Sequence, residues 1–240
     1  MRLLTAVLLA CAVFAHAFSQ HNADAPKAET PYTISHKPIV GDMKKYKIRG
    51  ELTIANLNLL ITATIVRKVI EVKDNGENVV EESQEDTVIK IGDQEVPPQH
   101  EASLVVHYGK FGEVLDLKKE GAVLPAEARL EVISNIYFPK KAVIVGESWS
   151  VDIPANEKMQ TVALRATFKL SGVETVSGHQ VFKIDYESHE TEGQQPAKVE
   201  GTCWLDTQTG CTVQDEATWT DMPSAGANTM SGKVALHLQE

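Results

Sequence analysis

The stretch Leu59-Leu60-Ile61-Thr62-Ala63-Thr64-Ile65-Val66-Arg67-Lys68-Val69-Ile70-Glu71-Val72 runs into Asp74-Asn75-Gly76. A second β-branched run follows, Asn78 to Ile91, with Val79, Val80, Val88, Ile89 and Ile91. Period-2 placement of Ile61, Ala63 and Ile65 puts alternate residues on one face, as in a half-buried strand. Asn-Gly accepts positive φ at little cost, so two such runs around it predict an antiparallel hairpin. The centre of the second run, Glu81-Glu82-Ser83-Gln84-Glu85-Asp86, reads as a solvated strand face or edge.

Outward from this hairpin the same signal recurs. Lys44 to Ile54 alternates Tyr46, Ile48, Leu52 and Ile54, and two short strands, 103–108 and 114–117, flank Gly109-Lys110-Phe111-Gly112. Further strands are predicted at 148–153, 161–173, 180–188, 197–205, 211–219 and 229–238, separated by Gly-, Pro- and Ser-rich turns. One segment, 125–138, has a helical stripe of Leu130, Ile133, Ile136 and Tyr137, with Pro125 in the first turn and Pro139 as a stop. The fold expected is mostly β, with antiparallel sheets in a sandwich or curved half-barrel, built as two related β-meander halves joined by one short helix. Strands do not alternate with helices, which excludes a parallel α/β scaffold.

The chain opens with Arg2, an apolar run from Leu3 to Phe14, and Ala15-His16-Ala17, the three-part layout of a secretory signal peptide. The run is too short to span a bilayer, which takes roughly twenty residues. Leu8-Leu9-Ala10-Cys11 offers an alternative, a lipoprotein cleavage box with lipid on Cys11. The organisation expected is a signal at 1–17, a flexible leader at 18–36, a first β unit at 37–123, a helix and linker at 124–139 and a second β unit at 140–240. The net charge of −10 becomes −11 once Arg2 is removed, with 22 basic against 33 acidic residues. That excess argues against nucleic acid or an anionic membrane surface as partner, because phosphate binding needs clustered cations.

The two halves echo each other. Lys37-Pro38-Ile39-Val40-Gly41-Asp42 is matched by Lys141-Ala142-Val143-Ile144-Val145-Gly146-Glu147, and Thr62 to Val72 by Arg165 to Thr175. Gly turns follow at Gly76 and Gly178, and Val105 to Gly112 parallels Thr202 to Gly210. A helix at the junction of two such meanders could cap an open sheet end over an apolar cavity.

Chemistry-bearing motifs are sparse. Gly146-Glu147-Ser148-Trp149-Ser150 lacks the second glycine of a nucleophile elbow and lies between β segments, so Trp149 is expected in the core and Ser148 is not expected to be catalytic. The histidines, among them His107, His179 and His189, show no zinc-ligand spacing. His107, beside Tyr108 on a strand, is the one candidate for a site. Asp74-Asn75-Gly76-Glu77 lacks the carboxylate spacing of a calcium loop. Neither a metal nor a cofactor is expected. Export favours oxidation, and losing Cys11 leaves Cys203 and Cys211 as a possible disulfide. A tight turn at Thr207 to Gly210 would set the two too far apart, so bridged and free thiols both stand.

Residues 138–149, 168–184 and 201–210 together resemble an uncharacterised family of exported bacterial β-rich proteins. The last piece also resembles the strand-turn-strand of lipoprotein-carrier-type curved sheets. The resemblance spans roughly 37–240. It implies a secreted or periplasmic location and supplies no catalytic residue. The function expected is an exported, non-catalytic protein that binds an apolar ligand or an envelope component. The alternatives are a structural or adhesive envelope protein with no small-molecule ligand, and a hydrolase, which would need His, Ser and Asp to converge.

Overall fold

The computed structural model describes residues 30–97, 102–224 and 228–239. The expected signal peptide, Cys11 and the leader up to residue 29 lie outside these residues. Tyr32 pairs with Val143 and Ile34 is buried, so residues 32–36 of the expected leader belong to the fold.

Among the described residues there are twelve strands and one helix. They are β1 (Met43–Ile54), β2 (Leu57–Val72), β3 (Asn78–Ile91), β4 (Gln94–Val96), β5 (Leu104–Tyr108), β6 (Val114–Lys119), α1 (Pro125–Ile133), β7 (Ser148–Ile153), β8 (Leu164–Val176), β9 (His179–Glu190), β10 (Lys198–Asp206), β11 (Thr212–Pro223) and β12 (Thr229–Gln239). All strands join one antiparallel sheet in the order β6-β5-β3-β2-β1-β12-β11-β10-β9-β8-β7, with β4 on β3. The sheet does not close: β6 and β7 are its edges. β3 lies between β2 on one side and β5 and β4 on the other, and its acidic centre from Ser83 to Glu85 pairs with β2 alone. Only the short β4 has no counterpart in the sequence reading.

The sheet curls. The helix touches β6, β9 and β11. Eight strand positions separate β6 from β9, which would be about 38 Å in a flat sheet, whereas nine helical residues span about 13.5 Å. Only a trough wrapped around the helix brings both within its reach.

The helix is shorter than its apolar stripe. It starts at Pro125, with the Glu127 carboxylate accepting from the Leu124 amide at 2.8 Å, and it stops at Ile133. Beyond Ser134 the chain bonds to the β5–β6 turn instead: the Asn135 side chain donates to the Gly112 carbonyl and the Phe138 amide to the Phe111 carbonyl. The Tyr137 hydroxyl turns back to the Val132 carbonyl at 2.7 Å.

The same hydrogen-bonded turn precedes β1 and β7. The Asp42 amide donates to Ile39 and the Gly41 amide to Val69, whose own amide returns to Asp42. Likewise the Glu147 amide donates to Ile144 and the Gly146 amide to Leu170, whose amide returns to Glu147. Gly41 and Gly146 have φ of +87° and +92°, a region only glycine enters freely. A β-bulge follows each anchor, between Val69 and Glu71 on β2 and between Leu170 and Gly172 on β8. The entry segments cross over reciprocally: Lys37 donates to Thr209 in the β10–β11 turn, and Phe138 to Phe111 in the β5–β6 turn.

Candidate functional site

These anchors place Val69 and Leu170 in register, and therefore Arg67 and Phe168. Across the second half the row Trp149-Phe168-Tyr186 is a continuous aromatic stack, with centroids 5.4 and 6.2 Å apart. The corresponding row of the first half is Lys44-Arg67-Glu82. One row is packed hydrocarbon and the other is ionic.

The packing follows this difference. Phe168, Leu170, Ile184, Val199 and Leu205 form the main core with Val132, Ile133 and Tyr137, almost all of it on the second half. The first half keeps only a small cluster of Val106, Leu117 and Ala128. The space left unfilled is a cavity of about 230 Å³ inside the trough, between β1, β2, β3, β5, β11 and β12, roofed by Ser134 to Phe138 and bounded at one end by His36 and Cys211.

Its polar residues come from many elements. Arg67 Nε lies 2.9 Å from Glu82 Oε1, and the guanidinium sits 6.0 Å over the Tyr46 ring. Protein surrounds Arg67, yet 38% of its side-chain surface stays open, because that surface faces the cavity rather than bulk solvent. The Tyr108 hydroxyl lies 2.6 Å from Glu131 Oε1 and 3.2 Å from Glu82 Oε1, one proton between two carboxyl groups. Burial, with Glu82 close by, pushes Glu131 up to about 7. Burial also pushes Asp215 up to about 7, against the Tyr186 hydroxyl that donates to it at 3.0 Å. His36 is driven down to about 4 by burial and by the Arg67 charge, so it is neutral at pH 7. Three buried polar atoms of the cavity wall, Arg67 Nε, Asn78 Oδ1 and Ser134 Oγ, have no hydrogen-bond partner among the described residues.

A wider hollow of about 920 Å³ lies on the opposite face of the sheet. Several of its charges are already paired in solvent, Arg49 with Glu51 and Lys198 with Glu187 and Glu200 at its rim. It reads as a solvated saddle of the twisted sheet.

The residues singled out in the sequence are not brought together. His107 bonds Glu77 at 3.0 Å, His179 bonds Asp206 at 3.1 Å, and His189 faces Glu187 at 3.6 Å. Ser148 is exposed on the edge strand, and Trp149 packs on Phe168 while its indole N–H donates to the Tyr137 carbonyl. Cys203 and Cys211 are free thiols. The register explains this: Cys203 pairs with Asp215, four residues past Cys211 and about 13 Å along the strand, beyond the ~7 Å a disulfide spans. Cys203 lies in the core, while Cys211 Sγ sits 3.7 Å from His36 Nε2 at the cavity. Among the described residues no cluster of His, Cys, Asp and Glu could hold a metal, and no helix is long and apolar enough to cross a membrane.

Sequence reading did not single out the cavity group of Arg67, Glu82, Glu131 and Asp215. Its signal is parity: Arg67 alternates with Ile65 and Val69, and Asp215 with Val213 and Ala217, so each charge falls where a strand faces inward.

No family model matches this chain, and no curated protein matches it. Solved structures similar to it include a hypothetical lipoprotein, YmcC, from Escherichia coli (K12). That chain is 13% identical, the match covers 85% of this chain and 90% of that one, and the TM-score is 0.30. A DUF1329 family protein from Desulfovibrio piger ATCC 29098 is 8% identical, with coverage of 83% and 85% and a TM-score of 0.27.

Proposed function

We propose that this is an exported, non-catalytic binding protein whose trough holds a small molecule with an apolar body and a polar head. The observation that carries the reading is the set of three orphaned polar atoms, Arg67 Nε, Asn78 Oδ1 and Ser134 Oγ, in the wall of one cavity. Buried polar groups are almost always bonded, so a wall with unmet groups is built for an occupant. The apolar part of the lining, Ile48, Val80, Ile136, Phe138, Leu205 and Leu236, suits a hydrocarbon body.

The reading extends to the origin of the cavity. The two halves are copies of one unit that diverged: the second filled its inward row with aromatic rings, and the first kept that row ionic and open.

Native mass spectrometry of the protein from its own source tests this. A bound mass that leaves on collisional activation, or uptake of N-phenyl-1-naphthylamine that Val80→Trp blocks, is expected. A bare mass together with no dye uptake overturns the proposal.

A second reading, an adhesive or assembly role, draws on the turn before β1, where Ile39, Val40 and Met43 are largely exposed beside Ile70. It requires concentration-dependent association that Ile39→Ser with Val40→Ser abolishes in sedimentation.

A further inference from the structure

We infer that the head group taken by this cavity is a carboxylate, held end-on by Arg67. The inference rests on the reading of the cavity as a binding site and specifies what that site recognises.

Arg67 occupies the middle of the polar group. Glu131 and Asp215 both feel its charge, from the helix on one side and from β11 on the other. Glu82 Oε1 lies 2.9 Å from Nε but makes no hydrogen bond to it. Among the described residues no protein acceptor bonds the two terminal nitrogens, and the open part of the side chain faces the cavity. A guanidinium whose donors are unmet by the protein offers its Nη pair as two parallel N–H groups that match a carboxylate. The Tyr46 ring lies beneath it, 6.0 Å from the guanidinium carbon.

Charge selects among head groups. Arg67 is the one permanent cation lining the cavity among the described residues, and His36 is neutral. With Glu82 already set against Arg67, a doubly charged phosphate would bring two uncompensated charges where a carboxylate brings one. An ammonium would have to share a space of about 230 Å³ with the guanidinium. A single carboxylate matches a single fork.

The surrounding acids make the site proton-coupled. Around Arg67 stand Tyr46 and, nearer the opening, Lys44 of β1, Glu82 of β3, Tyr108 of β5, Glu131 of α1, Tyr186 of β9 and Asp215 of β11. His36 and Cys211 lie at the cavity end, and Tyr137 beside the roof. With Glu82 matched to Arg67, a ligand carboxylate enters favourably when Glu131 and Asp215 hold their protons. Both do so up to about 7. Binding therefore takes up protons and weakens as pH rises from 6 to 8.

Calorimetry of the purified chain with octanoate, octanamide and octylammonium at pH 6 and pH 8 tests this. Octanoate is expected to bind about tenfold tighter than octanamide at pH 6, and to lose about tenfold by pH 8. Proton uptake appears as a binding heat that changes with the ionisation enthalpy of the buffer. Arg67→Gln removes the preference for octanoate while octanamide still binds, and Glu131→Gln flattens the pH dependence. If Arg67→Gln does not fold, the comparison of the three probes on the unaltered chain decides alone. Octanamide binding as tightly as octanoate, or octylammonium binding best and tightening with pH, overturns the carboxylate inference and leaves the binding site standing. If none of the three binds, both fall.

Discussion

Arg129 of the helix grips Glu190 of β9 in a two-pronged ion pair, Nε to Oε1 at 2.7 Å and Nη2 to Oε2 at 2.6 Å. Glu190 is buried and also accepts from the Ala197 amide at 2.9 Å, so one carboxylate joins the helix, β9 and the start of β10. Arg129→Met leaves that carboxylate buried without its cation. Breaking a buried pair from one side costs about 3–5 kcal/mol, and Arg129 is partly exposed, so a loss of about 2–3 kcal/mol is expected in urea unfolding. A loss under about 0.5 kcal/mol would mean that the clamp does not hold the helix.

Exchanging the ionic row for its aromatic counterpart tests the relation between the halves. Arg67→Phe with Glu82→Tyr places in the first half what Phe168 and Tyr186 supply in the second. Replacing a buried ion pair by well-packed side chains is often neutral or stabilising, by about 1–4 kcal/mol. The double variant is expected to melt no lower than the parent and to lose dye uptake. A variant that melts well below the parent would show that the two rows are not interchangeable.

Stability should depend on pH through Asp215. In the native state it keeps its proton to about 7, whereas an unfolded aspartate releases it near 4. Between those values the native state binds more protons, so this group's contribution falls as pH rises through the window and is level outside it. His36, depressed to about 4, works in the opposite sense between about 4 and 6.5. The difference between the parent and Asp215→Asn isolates the carboxyl. The variant is expected to gain on the order of 1–3 kcal/mol relative to the parent on going from pH 4 to pH 8. Parallel stability curves would place Asp215 in ordinary solvent.

Two glycines hold the crossing segments close. Gly112, at φ +87°, has no room for a Cβ beside the Ile136 carbonyl, and Gly210, at φ +72°, has none beside the Ser35 carbonyl. Gly112→Ala and Gly210→Ala combine a clash with backbone strain, and each should cost about 2–3 kcal/mol. Gly178→Ala, at φ +80° with open space around it, carries only the strain and should cost about 1 kcal/mol. Equal losses at all three would remove the role of close approach.

The two thiols should differ in reactivity. Cys203 is fully buried, and its thiol is pushed well up by that burial. Cys211 is raised by the same cause but is only partly covered. In the folded protein 5,5′-dithiobis(2-nitrobenzoate) should label Cys211 slowly, faster as pH rises, and leave Cys203 untouched until denaturant is added. Mass spectrometry finding the chain 2 Da light would contradict the free thiols.

The strands were legible because period 2 is a local signal. Asn78 to Ile91 and Ser148 to Ile153 begin and end where the β-branched runs do. The end of the helix was not legible, because residues 135–138 bond to a turn more than twenty residues earlier. The cavity was half legible. Arg67 at an inward position is visible as an anomaly of parity. That Glu82, Glu131 and Asp215 converge on it depends on the curl of the whole sheet, which no short window contains. Glu82 also sits in an acidic run that reads as solvent-facing, and its neighbour Glu85 does face outward, 2.7 Å from Lys45.

The first and last strands pair with each other, from Lys45 opposite Gln239 to Ile54 opposite Met230. During synthesis, therefore, the nascent chain carries two unfinished ribbons until the eleven residues of β12 emerge. Before that point β1 and β11 both present open backbone edges, which invite pairing with other chains. A product truncated ahead of Thr229 keeps both edges and should aggregate rather than fold. A chain whose central seam closes after both ribbons are made folds late, and its yield depends on keeping those two edges apart from other chains until β12 is laid between them.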